Sequence, residues 1–143
     1  MIIEKVDKII VHCSATREVD DSVDFEVIDK WHKARGWKGC GYHFIVLMDG
    51  TVQRGRQINE CGAHTKGLNC TSWGICYIGG VEKDGKTPKD TRTQKQKDSL
   101  EYLIYFLKLL SPKATVHGHR DFANKACPSF DATEEYKDLG KVI

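Results

Sequence analysis

No run of this sequence stays apolar for long. The longest such stretches, Phe44 to Met48 among them, fall far short of the roughly 20 residues needed to cross a bilayer. A helical membrane span is therefore excluded. The first residues, Met1-Ile2-Ile3-Glu4-Lys5-Val6-Asp7-Lys8, are broken by charge every few positions. They lack the uninterrupted apolar core of a secretory signal, so the chain is expected to be made in the cytoplasm as a soluble protein. A dominant charge is missing too: 22 Lys+Arg against 20 Asp+Glu leave a net +2. A dedicated nucleic-acid binder shows a strong basic excess or stripe, and that class is set aside. The six cysteines, Cys13, Cys40, Cys61, Cys70, Cys76 and Cys127, contain no Cys-x-x-Cys pair, which removes the zinc ribbon and the thioredoxin-like redox site. Without a secretory signal their even number is poor evidence for disulfides, and buried free thiols are expected instead. Repeats, low-complexity tracts and linkers are also lacking, so the 143 residues read as one domain over 1–143, long enough to bury a core.

What is present is a regular alternation of short elements. Residues 7–13 read as a strand, β-favouring residues bounded by charge. Ser14 to Ser22 is polar and turn-like. Ser22 or Asp24 caps a helix running to about Arg35, with Phe25, Ile28, Trp31 and His32 at helical spacing. Residues 42–48 form a strand apolar on both faces, Asp49-Gly50 is a hairpin signal, and Thr51 to Arg54 returns. Gln57 to Thr71 is irregular, with His64 exposed in its middle, and Trp73 to Ile78 is another strand. Thr93 and Gln96 make a capping-box pattern ahead of the apolar stripe Leu100, Leu103, Ile104, Leu107 and Leu110, which Ser111-Pro112 stops. Ala114 to His117 is a last strand, and the tail after Asp131 is weakly helical at best. The order β-α-β-β-β-α-β predicts an α/β domain, a mixed central sheet flanked by helices.

The chemistry is concentrated in one late stretch, Val116-His117-Gly118-His119-Arg120-Asp121-Phe122-Ala123-Asn124-Lys125-Ala126-Cys127-Pro128-Ser129-Phe130-Asp131. Neutral imidazole and thiolate are the side chains that bind zinc best. His119 and Cys127 stand on either side of a loop that can fold both around one ion, and His12 ends the first strand. Two histidines, a cysteine and an open fourth position fit a catalytic zinc that activates a water near neutral pH. His117 is a rival ligand, because strand residues two apart share a face. Lys125 would place a positive charge beside such a metal.

His12-Cys13-Ser14-Ala15-Thr16, Trp31-His32-Lys33, Gly41-Tyr42-His43-Phe44, Asp49-Gly50-Thr51-Val52, Gly118-His119 and Lys125-Ala126-Cys127-Pro128-Ser129-Phe130-Asp131 together resemble the phage-lysozyme type of N-acetylmuramoyl-L-alanine amidase. The peptidoglycan recognition proteins share that superfamily. The blocks follow family order from residue 8 to residue 131. The resemblance implies one catalytic Zn2+ held by His12, His119 and Cys127 in a groove at one edge of the sheet, with His119 rather than His117 as second ligand. It implies Tyr42 and Lys125 as catalytic helpers, and His64, near the family's site, in a substrate-binding role. Cys127 and Tyr42 place the chain in the tyrosine/lysine branch, not with relatives that use an aspartate ligand and a glutamate base. The implied substrate is the amide between N-acetylmuramic acid and L-alanine of peptidoglycan or muropeptides, and the implied setting is a phage or prophage endolysin. It would be monomeric, would bind neither nucleic acid nor membrane, and would reach the cell wall after release or delivery by another system.

Two other functions compete. A non-catalytic peptidoglycan-binding module would keep the groove without the cysteine ligand, and Cys127 speaks against it. A cysteine hydrolase using Cys127 with His119 is disfavoured by Pro128 and by the absence of a nucleophile at a helix start. His43 is expected to point away from the Tyr42 face, and His32 to be a packing or surface residue of its helix.

Overall fold

The computed structural model describes residues 5–139; the outer ends of the 1–143 domain expected above, including Met1 to Glu4, lie outside the described residues. The strands are β1 (Lys8–Cys13), β2 (Thr16–Arg17), β3 (Phe44–Val46), β4 (Val52–Arg54), β5 (Ser72–Tyr77), β6 (Gly80–Val81) and β7 (Thr115–Gly118). The helices are α1 (Phe25–Ala34), α2 (Gln94–Leu110) and α3 (Ala132–Tyr136). A five-stranded sheet runs in the order β4-β3-β5-β1-β7. β1 is parallel to both β5 and β7, β3 is parallel to β5, and β4 pairs antiparallel to β3. This is the mixed sheet flanked by helices that the pattern predicts.

The sheet is covered on both faces, so its central strands are apolar throughout. Alternation along β1 sends Ile9, Val11 and Cys13 into the core under α2, formed with Leu100, Leu103, Ile104 and Leu107. Ile45, Cys76 and Ile78 face the other way, packing with Ile28 of α1. His12 belongs to this α1 side and is 1% exposed. The period of two that buries β1 therefore also aims its last histidine at the loops around α1.

Local signals set the ends of the elements. Asp24, not Ser22, caps α1, accepting from the Val27 N–H at 3.1 Å. The capping box of α2 is formed, with Gln96 N–H donating to Thr93 Oγ1 at 3.1 Å and Thr93 N–H to Gln96 Oε1 at 2.9 Å. The buried Gln96 amide also donates to the Ile78 carbonyl at 2.9 Å, fastening α2 to the end of β5. In the Asp49-Gly50 turn Gly50 adopts φ +87°, a conformation that costs a glycine little.

Four expectations need correction. The predicted strand 42–48 is ordered as a strand only over Phe44–Val46, because the backbone of Tyr42 and His43 is used by the loop after β4: Arg56 N–H donates to Tyr42 O and Gly55 N–H to His43 O, both at 2.9 Å. Within the polar segment 14–22, Thr16–Arg17 pairs in parallel with Gly80–Val81 as a second, two-stranded sheet. The tail forms a real helix, α3, capped by Asp131 and closed by buried Ala132 and Tyr136. Finally, Cys61 and Cys70 form a disulfide, while Cys13, Cys40, Cys76 and Cys127 are free. The loop between them folds back on itself, with Gly62 N–H donating to Asn69 O at 2.8 Å, and this brings the two thiols together.

Candidate metal centre and groove

His12, His119 and Cys127 meet where the sheet ends. β1 delivers His12 at its carboxyl-terminal end, and His119 opens a 3-10 turn directly after the parallel edge strand β7. One donor atom from each of the three lies within 4.8 Å of the others. His12 Nδ1 is 3.9 Å from Cys127 Sγ, close to the roughly 3.5 Å separating N and S donors on a tetrahedral zinc. The imidazoles of His12 and His119 are tilted against each other with centroids 4.6 Å apart. Two imidazoles and a thiol at this spacing are a donor set that fits zinc.

Cys127 is held from several directions. Tyr77 Oη donates to Pro128 O at 2.6 Å, Arg120 N–H to Cys127 O at 2.7 Å and Ser129 Oγ to Gly80 O at 2.8 Å. The loop rests so closely on β7 that a Cβ at Gly118 would lie 2.8 Å from Pro128 Cδ. The Cys13 N–H donates to Cys127 Sγ at 3.2 Å, a contact that favours thiolate. The hydrogen-bonded Cys13 thiol, and then burial, push the Cys127 thiol up; a coordinated cation removes such a proton outright.

The imidazoles are held neutral, as ligation requires. Burial, His64, His119 and Lys125 keep His12 well below the usual histidine range, and burial followed by Lys125 lowers His119. Lys125 is exposed at the groove, and its charge acts on both imidazoles. Tyr42 lies between His12 and His32, with ring centroids 5.1 and 5.5 Å away. Burial, reinforced by the thiols of Cys76 and Cys127, raises its phenol well above the ordinary tyrosine value, so the proton stays on.

His119, Lys125 and Tyr42 line a groove of about 470 Å³ together with Arg35, Trp37, Lys66 and Phe122. The structure thus brings together every residue singled out for the site: His12, His119 and Cys127 in the cluster, Tyr42, Lys125 and His64 around it. His117 is not among them. Its Nε2 is 2.7 Å from Thr115 Oγ1 and its ring packs on Phe122. His43 is structural as expected, its Nε2–H donating to Glu60 O at 2.7 Å and its Nδ1 accepting from Gly74 N–H at 3.1 Å.

His64 corrects the expectation of an exposed residue. It is half-buried and its Nδ1 lies 2.8 Å from His12 Nε2. His32 is also more than packing. It is buried, accepts the Gly41 N–H on Nδ1 at 2.8 Å, packs tilted against Trp37 and lines the groove. Burial, then Arg35 and Arg56, lower it to about 4. A histidine two residues before the apolar helix ends, followed by Arg-Gly-Trp, was the signal available for this part of the groove.

The sequence matches the Amidase_2 family, described as N-acetylmuramoyl-L-alanine amidase, over residues 3–130. The chain belongs to this amidase family. The endolysin of Enterobacteria phage K11 is 43% identical over 128 residues, covering 90% of this chain and 83% of that protein. The N-acetylmuramoyl-L-alanine amidase LysC from Clostridium intestinale URNW superposes with a TM-score of 0.77 at 30% identity, over 94% of this chain and 83% of that one. The ectodomain complex of the peptidoglycan recognition proteins LCa and LCx, with bound tracheal cytotoxin, gives a TM-score of 0.78 at 26% identity, over 96% of this chain and 84% of that one. The amidase thus shares its fold with lytic enzymes and with recognition proteins alike. Among its described residues, no helix is long and apolar enough to cross a membrane.

Proposed function

We propose that the chain, acting as one domain over 1–143, is a zinc-dependent peptidoglycan amidase of the endolysin type. It hydrolyses the amide between N-acetylmuramic acid and the L-alanine of the stem peptide. The observation that carries this reading is the convergence of His12, His119 and Cys127 donors within 4.8 Å at a groove that also presents Tyr42 and Lys125. His12, His119 and Cys127 would hold the ion. Bound there, zinc would supply a Lewis acid and a water acidic enough to be a nucleophile at neutral pH.

The chain's own residues account for the rest. Hydrolysis adds water across the amide, leaving a carboxylic acid on the lactyl side and an amine on L-alanine. Negative charge develops on the carbonyl oxygen in the transition state, and the Lys125 ammonium, which lines the groove, would stabilise it. The departing nitrogen needs a proton. Tyr42, kept as a neutral phenol by its burial, orients the attacking water and relays that proton. The groove takes the glycan-peptide junction, with Trp37 and Phe122 as apolar surfaces and Arg35 and Lys66 as cations for the carboxylates of an anionic polymer.

The deciding experiment digests purified peptidoglycan with metal-free and zinc-reconstituted protein and reads the products by mass spectrometry. Stem peptides with a new L-alanine amino terminus, formed only with zinc and lost in a folded Cys127→Ala variant, are the expected result. Activity retained in Cys127→Ala would overturn the metal site, and sedimentation with the wall without release of peptides would make the chain a binding module.

A further inference from the structure

A neutral imidazole carries one N–H and one free lone pair, so a histidine can ligate a metal through Nδ1 only if its proton sits on Nε2. His12 faces this choice in a setting that water does not reach, at 1% exposure. Its Nδ1 looks toward Cys127 Sγ, and its Nε2 lies 2.8 Å from His64 Nδ1. We infer that His64 is a positioning residue for the metal ligand His12: its Nδ1 accepts the His12 Nε2 proton and so commits His12 Nδ1 to the ion. The inference rests on the zinc reading above.

The surrounding hydrogen bonds run in one sense. With Nδ1 as acceptor, His64 carries its proton on Nε2, and Ser72 Oγ is the acceptor there at 3.4 Å. Ser72 Oγ in turn donates to Leu68 O at 2.6 Å. Thr65 Oγ1 stands 3.3 Å from His12 Nε2 and 2.9 Å from His64 Nδ1, so it takes a share of the same proton without reversing the direction. From His12 through His64 to Ser72 each member donates away from the metal site, and the Leu68 carbonyl accepts the last of these bonds. Such outer partners fix the ring orientation and tautomer of ligating histidines.

A second, independent observation concerns space. A Cβ on Gly62 would lie 2.5 Å from His64 Cδ2, and one on Gly74 would lie 2.6 Å from the same atom and 2.7 Å from Cγ. The imidazole occupies a slot that exists only because both positions lack a side chain. Neither glycine has the positive φ of the glycines in the turns, so backbone conformation is not what places them there. Gly74 interrupts a buried strand, where glycine weakens pairing and marks a close approach. The backbone of the slot is fixed as well: Asn69 Oδ1 accepts the N–H groups of His64 and Thr65 at 2.8 and 2.9 Å, and the Cys61–Cys70 disulfide closes the loop around them.

The test uses the full chain. Zinc affinity is measured by competition with a chelating dye, ligand geometry by the visible spectrum of the cobalt-substituted protein, and the His12 tautomer by long-range 15N–1H correlation in the zinc-loaded protein. His64→Leu should weaken zinc binding by about 10–100-fold and alter the cobalt spectrum. His64→Asn, which restores an acceptor near the Nδ1 position, should recover most of both. Gly74→Ala, which leaves every polar group in place but fills the slot, should reproduce His64→Leu. The wild type should show the His12 proton on Nε2. A His12 proton on Nδ1, or wild-type affinity and spectrum in both His64→Leu and Gly74→Ala, would overturn the inference while leaving the zinc reading intact. If His64→Leu does not fold, the tautomer measurement and Gly74→Ala decide the matter. A wild type that binds no zinc, like a Cys127→Ser control, would bring down the zinc reading and this inference with it.

Discussion

Arg92 is the residue whose removal should cost the fold most for a single polar side chain. Its side chain is 1% exposed and its guanidinium lies 3.4 Å from the centroid of the Phe130 ring. All its nitrogens are used: Nε and Nη2 reach Asp90 at 2.9 Å, Nη1 and Nη2 reach Glu135 at 2.7 and 2.8 Å, and Nη1 reaches Tyr136 Oη at 2.9 Å. It thus ties the entry of α2 to α3 and to Phe130, which closes the stretch begun at Cys127. Consider Arg92→Met, which keeps an apolar stem. Removing one partner of a buried pair usually costs about 3–5 kcal/mol. Here the carboxylates of Asp90 and Glu135 are 34% and 43% exposed, so water rehydrates them and that figure shrinks toward the surface-pair value of about 1 kcal/mol or less. The buried contact with Phe130 adds about 2 kcal/mol, and the Tyr136 hydroxyl, left in a buried residue without this donor, adds about 1 kcal/mol. The expected loss is about 3–4 kcal/mol, a large share of the roughly 5–15 kcal/mol typical of a domain. Urea unfolding followed by circular dichroism should show the midpoint falling with the slope unchanged. Arg92→Lys should lie between, because it keeps the charge but not the planar fork. A loss below about 1 kcal/mol in Arg92→Met would refute the clamp.

Three further outcomes are expected. Lys125→Ala should bind zinc stoichiometrically yet lose about 10²–10³ in kcat, as for removal of an oxyanion donor; full turnover in that variant would take Lys125 out of the mechanism. Paired Cys61→Ser and Cys70→Ser substitutions remove a covalent closure between residues separated by 9 positions, worth about 2–3 kcal/mol in the chain-entropy picture, and an unchanged unfolding midpoint would contradict the bridge. The metal-free protein should become less stable in acid. His12, His64, His119, His43 and His32 are all lowered, each chiefly by burial. Below the usual histidine value of about 6.5 the unfolded chain takes up protons that the folded chain refuses, so stability is full above that pH and falls below it. For His32 the loss continues down to about 4. Urea midpoints equal at pH 7.5 and pH 5 would rule this out.

Much of the fold was legible in local pattern. Short runs of β-favouring residues marked the buried strands, apolar residues at a period of 3.6 marked both long helices, Thr93 with Gln96 marked the start of α2, and Asp49-Gly50 marked the hairpin. These signals act between residues a few positions apart, so their free energy is encoded where it is spent. The candidate donors His12, His119 and Cys127 and the groups around them were legible differently, as blocks resembling one family in order along the chain. β2, β6 and α3 were not legible. Two-residue strands have no period, and a helix of five residues is too short to nucleate alone; it stands because Arg92, 43 and 44 positions earlier, grips Glu135 and Tyr136.

By itself, then, the sequence determined the class of fold, the places of the longer strands and helices, and the set of groups able to bind zinc. Tertiary structure alone decided which nitrogen of His12 faces Cys127 and which faces His64, because His64 is 52 positions away and arrives through a loop shaped by Asn69 and closed by Cys61–Cys70. It also decided that His117 turns away while His119 turns in, since that depends on the 3-10 turn after β7 and on the register of β7 against β1. Contacts of this kind are set by how strands align and loops close, and no local run of residues carries that information.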